Sequence, residues 1–448
     1  MTIKGKADTS YLLETNKIYA YTYDDYISYR EKELASSLID AKGNFALSFS
    51  ISQPTYIYLM ADNAKSEMIA EPNRTYDIDF LAKDSDAVNT LSIAVPVSMM
   101  FNNSDSTEIN YLMADFSNRY EAFLEYNRPL ISTKSSFFFG RIDTMKTLCV
   151  QKYSAFNKRY LNNYIDYTFA QLEESITLKE NEKIVEKYFK NKTIQLGNND
   201  YMMFFNQFFA VTISAFMAEP QTQNEIGKQN FASLMEYFKQ INVLANDTIR
   251  ETFILKSLAE YFRYPACKVS SVLAILDQAA TQCKAGENRR SAENLKKKFS
   301  VMNTGNPAPT LPFQDMDGKT ISLSDFKGKY VYLNFWTTWC SSCTQEMMMI
   351  PELKKIYGNK IAFVSISVDK KPESMKNFLK KNSKLDHDKN GAGWKFLYCD
   401  NYKKAKEEFN VLTVPTYFLI DPKGNILQSP ADKPQDIDTT FIQIKKKK

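Results

Sequence analysis

The segment from Tyr330 to Glu346, YVYLNFWTTWCSSCTQE, constrains the fold of this chain more than any other stretch. It opens with an apolar run of aromatic and aliphatic residues that is typical of a buried strand. A short turn leads to Cys340-Ser-Ser-Cys343, and apolar residues at helical spacing then continue to about Tyr357. The pattern predicts a strand that directs a pair of cysteines to the first turn of a helix.

This placement of two cysteines suits dithiol chemistry. The free backbone N–H groups and the partial positive charge at a helix N-terminus favour a thiolate over a thiol. Two intervening residues let the second sulfur reach the first and close a small disulfide. We therefore predict that Cys340, the first of the pair and the nearer to solvent, is the nucleophile, and that Cys343 resolves the mixed disulfide.

A zinc site is the alternative explanation of a Cys-x-x-Cys pair. Structural zinc takes four ligands, usually from a second cysteine pair or from histidines. The chain has six cysteines, one histidine (His387) and no second Cys-x-x-Cys. Redox chemistry is therefore favoured, and we expect no metal and no organic cofactor besides the redox-active Cys340–Cys343 disulfide.

The C-terminal third resembles a known family. Residues 309–346, PTLPFQDMDGKTISLSDFKGKYVYLNFWTTWCSSCTQE, followed later by Val414-Pro415-Thr416, closely resemble the TlpA/ResA-like thioredoxin-fold thiol–disulfide oxidoreductases. The resemblance implies an α/β thioredoxin fold with a four- or five-stranded central sheet and a cis proline at Pro415 facing the disulfide. It also implies that the backbone before this proline pairs with an extended substrate segment, so Val414, Pro415 and Thr416 are predicted to bind substrate.

Two residues near the cysteines are further candidate site residues, and a third differs from the pattern of ordinary thioredoxins. Trp339 precedes the nucleophile and is predicted to shield the disulfide and contact substrate, with plain packing as the alternative. Glu346 lies three residues after Cys343 on the same helix face, where the ResA-like branch often has a glutamate, and is predicted to take the resolving thiol's proton. The alternative is a first-turn glutamate favoured by the helix dipole. Asn334 stands where ordinary thioredoxins carry a buried aspartate, and asparagine cannot act as a base.

The chain departs from the family at Met348, where a proline is usual. The nearest proline is Pro351. We therefore expect the active-site helix to be straighter in its first half or kinked later, which alters the shape of the groove and leaves the dithiol chemistry intact.

The patterns predict three domains, residues 1–105, 106–300 and 301–448. The first is β-rich, with short strands separated by turn residues, which indicates a sandwich. It resembles the small β-domain that often precedes TlpA-like thioredoxins in Bacteroidota, and a packing or partner-docking role is expected. The predicted strands are Ile18–Tyr23, Asn44–Ile51, Thr55–Met60, Glu67–Ala70 and Thr75–Phe80.

Residues 106–300 show apolar residues at helical spacing and are rich in Phe, Tyr and Met, which predicts an α-helical domain with an aromatic core. Its cysteines are expected to be buried and inert, although a disulfide between Cys267 and Cys283 is possible in an exported protein. The small and polar residues of SVMNTGNPA, 300–308, mark the boundary with the third domain.

Charge and hydropathy exclude several classes of protein. The 57 basic and 52 acidic residues are interspersed, so no nucleic-acid-binding surface is expected. The most apolar span, 201–218, carries several polar residues and fits a buried helix better than a membrane span. No signal peptide follows Met1, so we expect a soluble chain or one whose export signal has been removed. The resemblance implies the periplasm or cell envelope, with a lipoprotein anchor in the precursor as one route.

The sequence therefore predicts thiol–disulfide exchange with protein substrates. The Ser-Ser insert lacks the histidine found between the cysteines of strong oxidants, which favours a reductase or isomerase. A membrane or thioredoxin-type electron donor is an expected partner, and a homo-oligomer is possible. Two alternatives stay open: a peroxiredoxin-like peroxidase, although no Pro-x-x-x-Thr-x-x-Cys motif precedes Cys340, and a non-enzymatic envelope scaffold with a vestigial redox module.

Overall fold

The computed structural model forms two compact units, Met1–Leu295 and Lys296–Lys448. It describes residues 1–7, 16–61, 64–80, 95–103, 105–133, 135, 137–176, 181–190, 193–262, 267–369, 371–382, 385, 394–400, 402–411 and 413–446, with only the backbone at 95–96, 181, 402–404 and 407. His387 lies outside the described residues.

The first unit begins with two β-sheets. Their strands are β1 (Thr2–Ala7), β2 (Lys17–Tyr23), β3 (Glu31–Leu38), β4 (Asn44–Ser48), β5 (Thr55–Ala61), β6 (Ala64–Ala70), β7 (Thr75–Phe80), β8 (Val95–Pro96) and β9 (Met99–Phe101). One sheet has the order β4-β1-β7-β9 and the other β3-β2-β5-β6-β8. Alternate residues of both sheets, including Ile3, Ile57 and Ile78, share one core. The predicted sandwich-like arrangement is confirmed.

Helices form most of the rest of this unit, and the last of them, α11, continues beyond its end at Leu295. They are α1 (Ile109–Tyr126), α2 (Arg128–Ser132), α3 (Phe137–Ser154), α4 (Arg159–Ile176), α5 (Asn181–Ile184), α6 (Asn199–Ala218), α7 (Pro220–Gly227), α8 (Phe231–Phe238), α9 (Asp247–Tyr261), α10 (Val269–Gln282) and α11 (Gly286–Ser300). A π-helical turn, Val185–Phe189, follows α5. Side chains of Asn198 and Asn246 cap the starts of α6 and α9 by accepting backbone N–H bonds. The predicted helical middle region is confirmed.

Polar contacts join the sheets to the helices. The Asn110 side chain at the start of α1 accepts a hydrogen bond from the Ile69 N–H of β6 and donates one to the Ile69 carbonyl, both at 2.8 Å. The Arg30 guanidinium donates to the Asn294 amide oxygen of α11 at 2.8 Å. The structure therefore groups the sheets and the helices in one unit, and the predicted boundaries at 105 and 300 stay predictions.

Helix α6 is the one described helix that is long and apolar enough to cross a membrane, by length and composition alone. In its most apolar 18-residue window, 44% of the residues are buried inside the protein. The Phe209 ring of α6 packs against Phe253 of α9, with ring centroids 5.4 Å apart. These contacts agree with the buried helix predicted over 201–218.

The second unit has a single mixed sheet with helices on both faces. Its strands are β10 (Pro312–Gln314), β11 (Thr320–Ser322), β12 (Tyr330–Trp336), β13 (Ile361–Ser367), β14 (Trp394–Tyr398), β15 (Thr416–Ile420) and β16 (Ile426–Gln428). The helices are α12 (Ser341–Met347), α13 (Ile350–Tyr357), α14 (Pro372–Lys381), α15 (Tyr402–Phe409) and α16 (Asp438–Lys446). The strand order is β11-β10-β14-β13-β12-β15-β16.

This sheet has seven strands, so the expected four or five strands are wrong. The additional strands are the hairpin β10–β11, which pairs with the edge strand β14 through Gln314 and Tyr398. Covering the backbone donors and acceptors of an exposed edge prevents it from pairing with other chains.

Strand β12 lies in the interior of this sheet, between β13 and β15, and is buried on both faces. It runs parallel to β13 and antiparallel to β15. Val331, Leu333 and Phe335 face one hydrophobic layer. Tyr332 and Trp336 face the other layer, which also contains Cys340 and Cys343. The alternation of β12 therefore places the cysteine pair over one defined face of the sheet.

Gly5 provides a test of the pairing of β1 with β7. A Cβ added at Gly5 would lie 1.8 Å from the Ile78 carbonyl oxygen of the neighbouring strand β7. We predict that Gly5→Ala, which must push β1 away from β7, lowers the free energy of unfolding of the first unit by about 2 kcal/mol or more in urea denaturation.

Gly140→Ala is the matched control, because no described heavy atom lies within 4 Å of a Cβ at this position in α3. Replacing a helical glycine by alanine should raise stability by about 0.5–1 kcal/mol. Equal stability of the two variants would contradict the packing of β1 on β7.

Candidate active site

The cysteine pair lies where β12 gives way to α12. Residues 337–339 connect the strand to Cys340, which is the N-cap residue of α12, and the Cys343 N–H donates to the Cys340 sulfur at 3.1 Å. A disulfide joins Cys340 to Cys343, whose Cα atoms are 5.2 Å apart. The strand, turn, cysteine pair and helix therefore follow one another as predicted.

The two sulfurs differ in their access to solvent. Cys340 is 5% exposed and Cys343 is fully buried at 0%. The Cys340 sulfur lies 3.4 Å from the Ser342 hydroxyl oxygen and 3.9 Å from the Val414 carbonyl oxygen. Cys340 is therefore the sulfur nearer to the surface, although most of it is covered in the disulfide form.

The segment 414–416 lies beside the disulfide. The peptide bond between Val414 and Pro415 is cis, as the resemblance implies. Thr416 is the first residue of β15, and all three residues are half-buried. The Val414 carbonyl next to the sulfur is an acceptor that an extended peptide could use, and substrate binding by Val414, Pro415 and Thr416 stays a prediction.

Trp339 is 56% exposed, whereas Trp336 and Trp394 are buried. This exposure disfavours plain packing as the role of Trp339. An apolar ring directly before the nucleophile is available to a partner, and its contact with substrate stays a prediction.

The carboxylate of Glu346 lies between a lysine and two tyrosines. One oxygen of its side chain, which is 12% exposed, accepts from the Lys433 ammonium at 2.7 Å. The other oxygen and the Tyr417 hydroxyl are buried and have no partner at hydrogen-bond geometry among the described residues. Burial raises the pKa of Tyr417, and the nearby Glu346 charge raises it further. The Tyr417 ring stacks on Tyr332, with centroids 5.3 Å apart.

A chain of hydrogen bonds crosses three strands on the face that carries the disulfide. The Trp394 Nε1–H donates to the Ser365 hydroxyl at 2.8 Å, and this hydroxyl donates to the Asn334 side-chain oxygen at 2.6 Å. Asn334 is 2% exposed, and its Nδ2 has no hydrogen-bond partner among the described residues. The chain fixes the orientation of the Asn334 amide, which carries no charge.

Asp369, just beyond the end of β13, accepts hydrogen bonds from the turn before Cys340. Its Oδ1 accepts from the Thr338 N–H at 3.0 Å and from the Thr338 hydroxyl at 2.8 Å. The sequence interpretation missed Asp369 and Lys433. An aspartate after a strongly apolar strand was the available signal for Asp369, whereas Lys433 meets Glu346 only through the tertiary fold.

Comparisons with known proteins agree with this geometry. The model of the AhpC/TSA family matches residues 304–429. The thiol-disulfide oxidoreductase ResA of Bacillus thuringiensis subsp. konkukian is 35% identical over 133 residues, which are 29% of this chain and 71% of that protein. This chain belongs to the ResA-like thiol–disulfide oxidoreductases.

Two further proteins match the same part of this chain at comparable identity. ResA of Bacillus subtilis is 32% identical over 129 residues, covering 28% of this chain and 66% of that protein. A solved structure of a putative thiol-disulfide oxidoreductase from Bacteroides vulgatus is 29% identical, covers 32% of this chain and 98% of that one, and has a TM-score of 0.29.

The active-site helix of this ResA-like unit is interrupted. Helix α12 ends at Met347 and α13 begins at Ile350, with Pro351 in its first turn. Proline has no N–H, so the helical hydrogen-bond pattern cannot continue through this position. The break falls at Met348 and Met349, where the family's proline usually stands, so the expected straighter first half or later kink is not confirmed. The interruption leaves Met348 and Met349 39% and 42% exposed.

The other four cysteines, Cys149, Cys267, Cys283 and Cys399, are free thiols. The disulfide considered possible between Cys267 and Cys283 is not formed. Burial raises the pKa of Cys267 to about 11, which keeps this thiol protonated at neutral pH. Among the described residues, no group of three or more His, Cys, Asp or Glu side chains could hold a metal ion.

The hydrogen-bond chain next to the disulfide predicts a stability effect. Ser365→Ala would leave the buried Trp394 N–H and the Asn334 oxygen without a partner. Because each buried unsatisfied group costs about 1–3 kcal/mol, we predict a loss of about 3 kcal/mol in the free energy of unfolding, measured by denaturation of the oxidised protein.

The control is Ser374→Ala, an exposed serine of α14. Its stability should stay within about 0.5 kcal/mol of the parent. If Ser365→Ala is as stable as this control, the hydrogen-bond chain contributes nothing.

Proposed function

We propose that this ResA-like protein reduces or isomerises disulfides of protein substrates, with Cys340 as nucleophile and Cys343 as resolving residue. The observation that carries the proposal is the disulfide at the first turn of α12, with the Cys343 N–H donating to the Cys340 sulfur. A backbone donor and the helix N-terminus stabilise negative charge on the sulfur at position 340, which is the charge of an attacking or leaving thiolate.

Each reductive turnover exchanges two disulfide bonds in sequence. The Cys340 thiolate attacks one sulfur of the substrate disulfide, this S–S bond breaks, and the other substrate sulfur leaves as a thiolate. The Cys343 thiolate then attacks the Cys340 sulfur and releases the second substrate thiol. The substrate gains two electrons, and the Cys340–Cys343 disulfide forms without a metal or an organic cofactor.

The direction of electron flow follows from the residues between the cysteines. The two serines place no cationic side chain beside Cys340 that would stabilise its thiolate as in strong oxidants. We propose a reduction potential below about −150 mV, which is more reducing than that of strong oxidases of this fold. A membrane or thioredoxin-type donor would then reduce the Cys340–Cys343 disulfide back to two thiols.

The proposed compartment is the periplasm or the cell envelope. Protein disulfides persist in oxidising compartments, so a reductase or isomerase has substrates there. Fractionation of cells that produce the native precursor, with detection of the mature protein, tests the location.

Trapping tests the roles of the two cysteines. Cys343→Ala removes the residue that resolves the mixed disulfide, so we predict that this variant accumulates a covalent adduct with a disulfide-containing protein such as insulin. Cys340→Ala should form none. Non-reducing electrophoresis and mass spectrometry of the adduct check the result, and equal trapping by both variants contradicts the assignment. No adduct with either variant would favour the scaffold alternative.

Glu346 is proposed to accept the proton of Cys343 when that thiol resolves the mixed disulfide. Its carboxylate is almost enclosed, lies one helical turn after Cys343 and keeps one oxygen without a partner at hydrogen-bond geometry among the described residues. Lys433 pairs with the other oxygen of this carboxylate at 2.7 Å. The carboxylate also contacts the Tyr417 hydroxyl, and it is the proposed acceptor of the Cys343 proton.

We predict that Glu346→Gln slows resolution of the mixed disulfide by about tenfold or more, because general acid–base catalysis contributes about 10²–10⁴. The pH dependence of this rate should also change. Rapid acid quenching and mass spectrometry measure this step.

Glu352→Gln, at an exposed first-turn glutamate of α13, is the matched control and should resolve at the parent rate. If Glu346→Gln keeps both the parent rate and its pH dependence, the carboxylate serves only the helix dipole and Lys433.

A further inference from the structure

The turn between β12 and α12 determines where Trp339 and Cys340 lie. At its start, the Trp336 carbonyl accepts from the Val368 N–H at 2.9 Å. At its end, the Cys340 N–H donates to the Thr337 carbonyl at 3.2 Å. Thr338, in the middle, donates through both its N–H and its hydroxyl to Asp369. The turn is therefore held by the segment that follows β13.

The carboxylate of Asp369 is itself fixed in orientation. Its Oδ2 accepts from the Ser367 hydroxyl at 2.7 Å and from the Thr338 N–H at 3.1 Å, while Oδ1 accepts both Thr338 donors. Asp369 is 5% exposed. Because both oxygens are occupied by donors from two segments, rotation of the carboxylate would break several charge-assisted hydrogen bonds at once.

We propose that Asp369 is a positioning residue for thiol–disulfide exchange, because it holds Thr338 so that Trp339 and Cys340 meet a protein substrate in one arrangement. This inference rests on the proposed function. Trp339 is 56% exposed, so its position depends on the backbone of this turn more than on packing of its ring. A rigid turn spares the substrate the entropic cost of ordering the ring during binding.

Removal of the carboxylate is expected to affect substrate binding. We predict that Asp369→Ala raises KM for reduction of a protein disulfide, with insulin as substrate, and lowers kcat/KM about tenfold, while kcat stays within about threefold. A change of stability alone would lower the fraction of active enzyme, and hence the apparent kcat, without a selective rise in KM.

Asp369→Asn separates geometry from charge. Its amide oxygen can accept both Thr338 donors, and its NH₂ can donate to the Ser367 hydroxyl oxygen, so the turn is retained while the negative charge is lost. We expect its kinetic constants to stay within about threefold of the parent. If Asp369→Asn is impaired as much as Asp369→Ala, activity depends on the negative charge of Asp369 and not on the position of the turn, and the proposal is overturned.

Asp421→Ala is the matched control. Asp421 also holds a turn, since it accepts hydrogen bonds from the N–H groups of Lys423 and Asn425 at 2.9 and 2.8 Å. It follows the last residue of β15, whereas Thr416 is the first residue of that strand. Removal of the Asp421 carboxylate should leave KM unchanged. Parent-like KM for Asp369→Ala, or an equal rise in both alanine variants, overturns the positioning role.

Failure of the proposed function and unfolding of a variant can each be distinguished from failure of the positioning role. A parent protein that does not reduce insulin contradicts the proposed function, whatever the variants do. If circular dichroism shows Asp369→Ala to be unfolded, Thr338→Val decides, because it removes only the hydroxyl donor to Asp369 and keeps the N–H. We expect this variant to raise KM about threefold, and an unchanged KM contradicts the proposal.

Discussion

The packing of β12 between two hydrophobic layers is the constraint on which the site of the second unit depends. One consequence is the hydrogen bond from the Cys343 N–H to the Cys340 sulfur. It requires α12 to begin immediately after Cys340, and this in turn requires β12 to end at Trp336. Strand β12 is buried on both faces by two hydrophobic layers, so it cannot shift without exposing one of them. The packing of the central strand thereby determines where the reactive sulfur lies.

Three polar side chains of the second unit are buried or largely buried, and each is accommodated differently. Asp369 accepts hydrogen bonds from Thr338 and Ser367. Glu346 keeps a cation, Lys433, at its outer oxygen. Asn334 is neutral and is held by Ser365. Buried polar groups are costly unless they have partners, and both carboxylates have them: Asp369 in neutral donors, Glu346 in the Lys433 ammonium and the neighbouring Tyr417 hydroxyl.

The sequence interpretation succeeded where hydrophobic periodicity and turn residues are clear. It failed for strands that form only because they pair with another strand. It identified β2, β5 and β7 closely because aromatic and β-branched residues alternate there, but it missed β1 and the polar, exposed β3, EKELASSL. It also underestimated the sheet of the second unit, since the three-residue strands β10 and β11 acquire their sheet pairing only by adding to β14.

By itself, the sequence determined the strand, the cysteine pair and the helix start, because these depend on residues that are close together in the chain. It also indicated Glu346 through its three-residue offset from Cys343. Only the tertiary structure decided that Asp369 holds Thr338, that Lys433 meets Glu346 and that Val414 lies beside Cys340. These partners are separated by 31, 87 and 74 positions, and groups that far apart in the chain meet only when the tertiary fold brings their segments together.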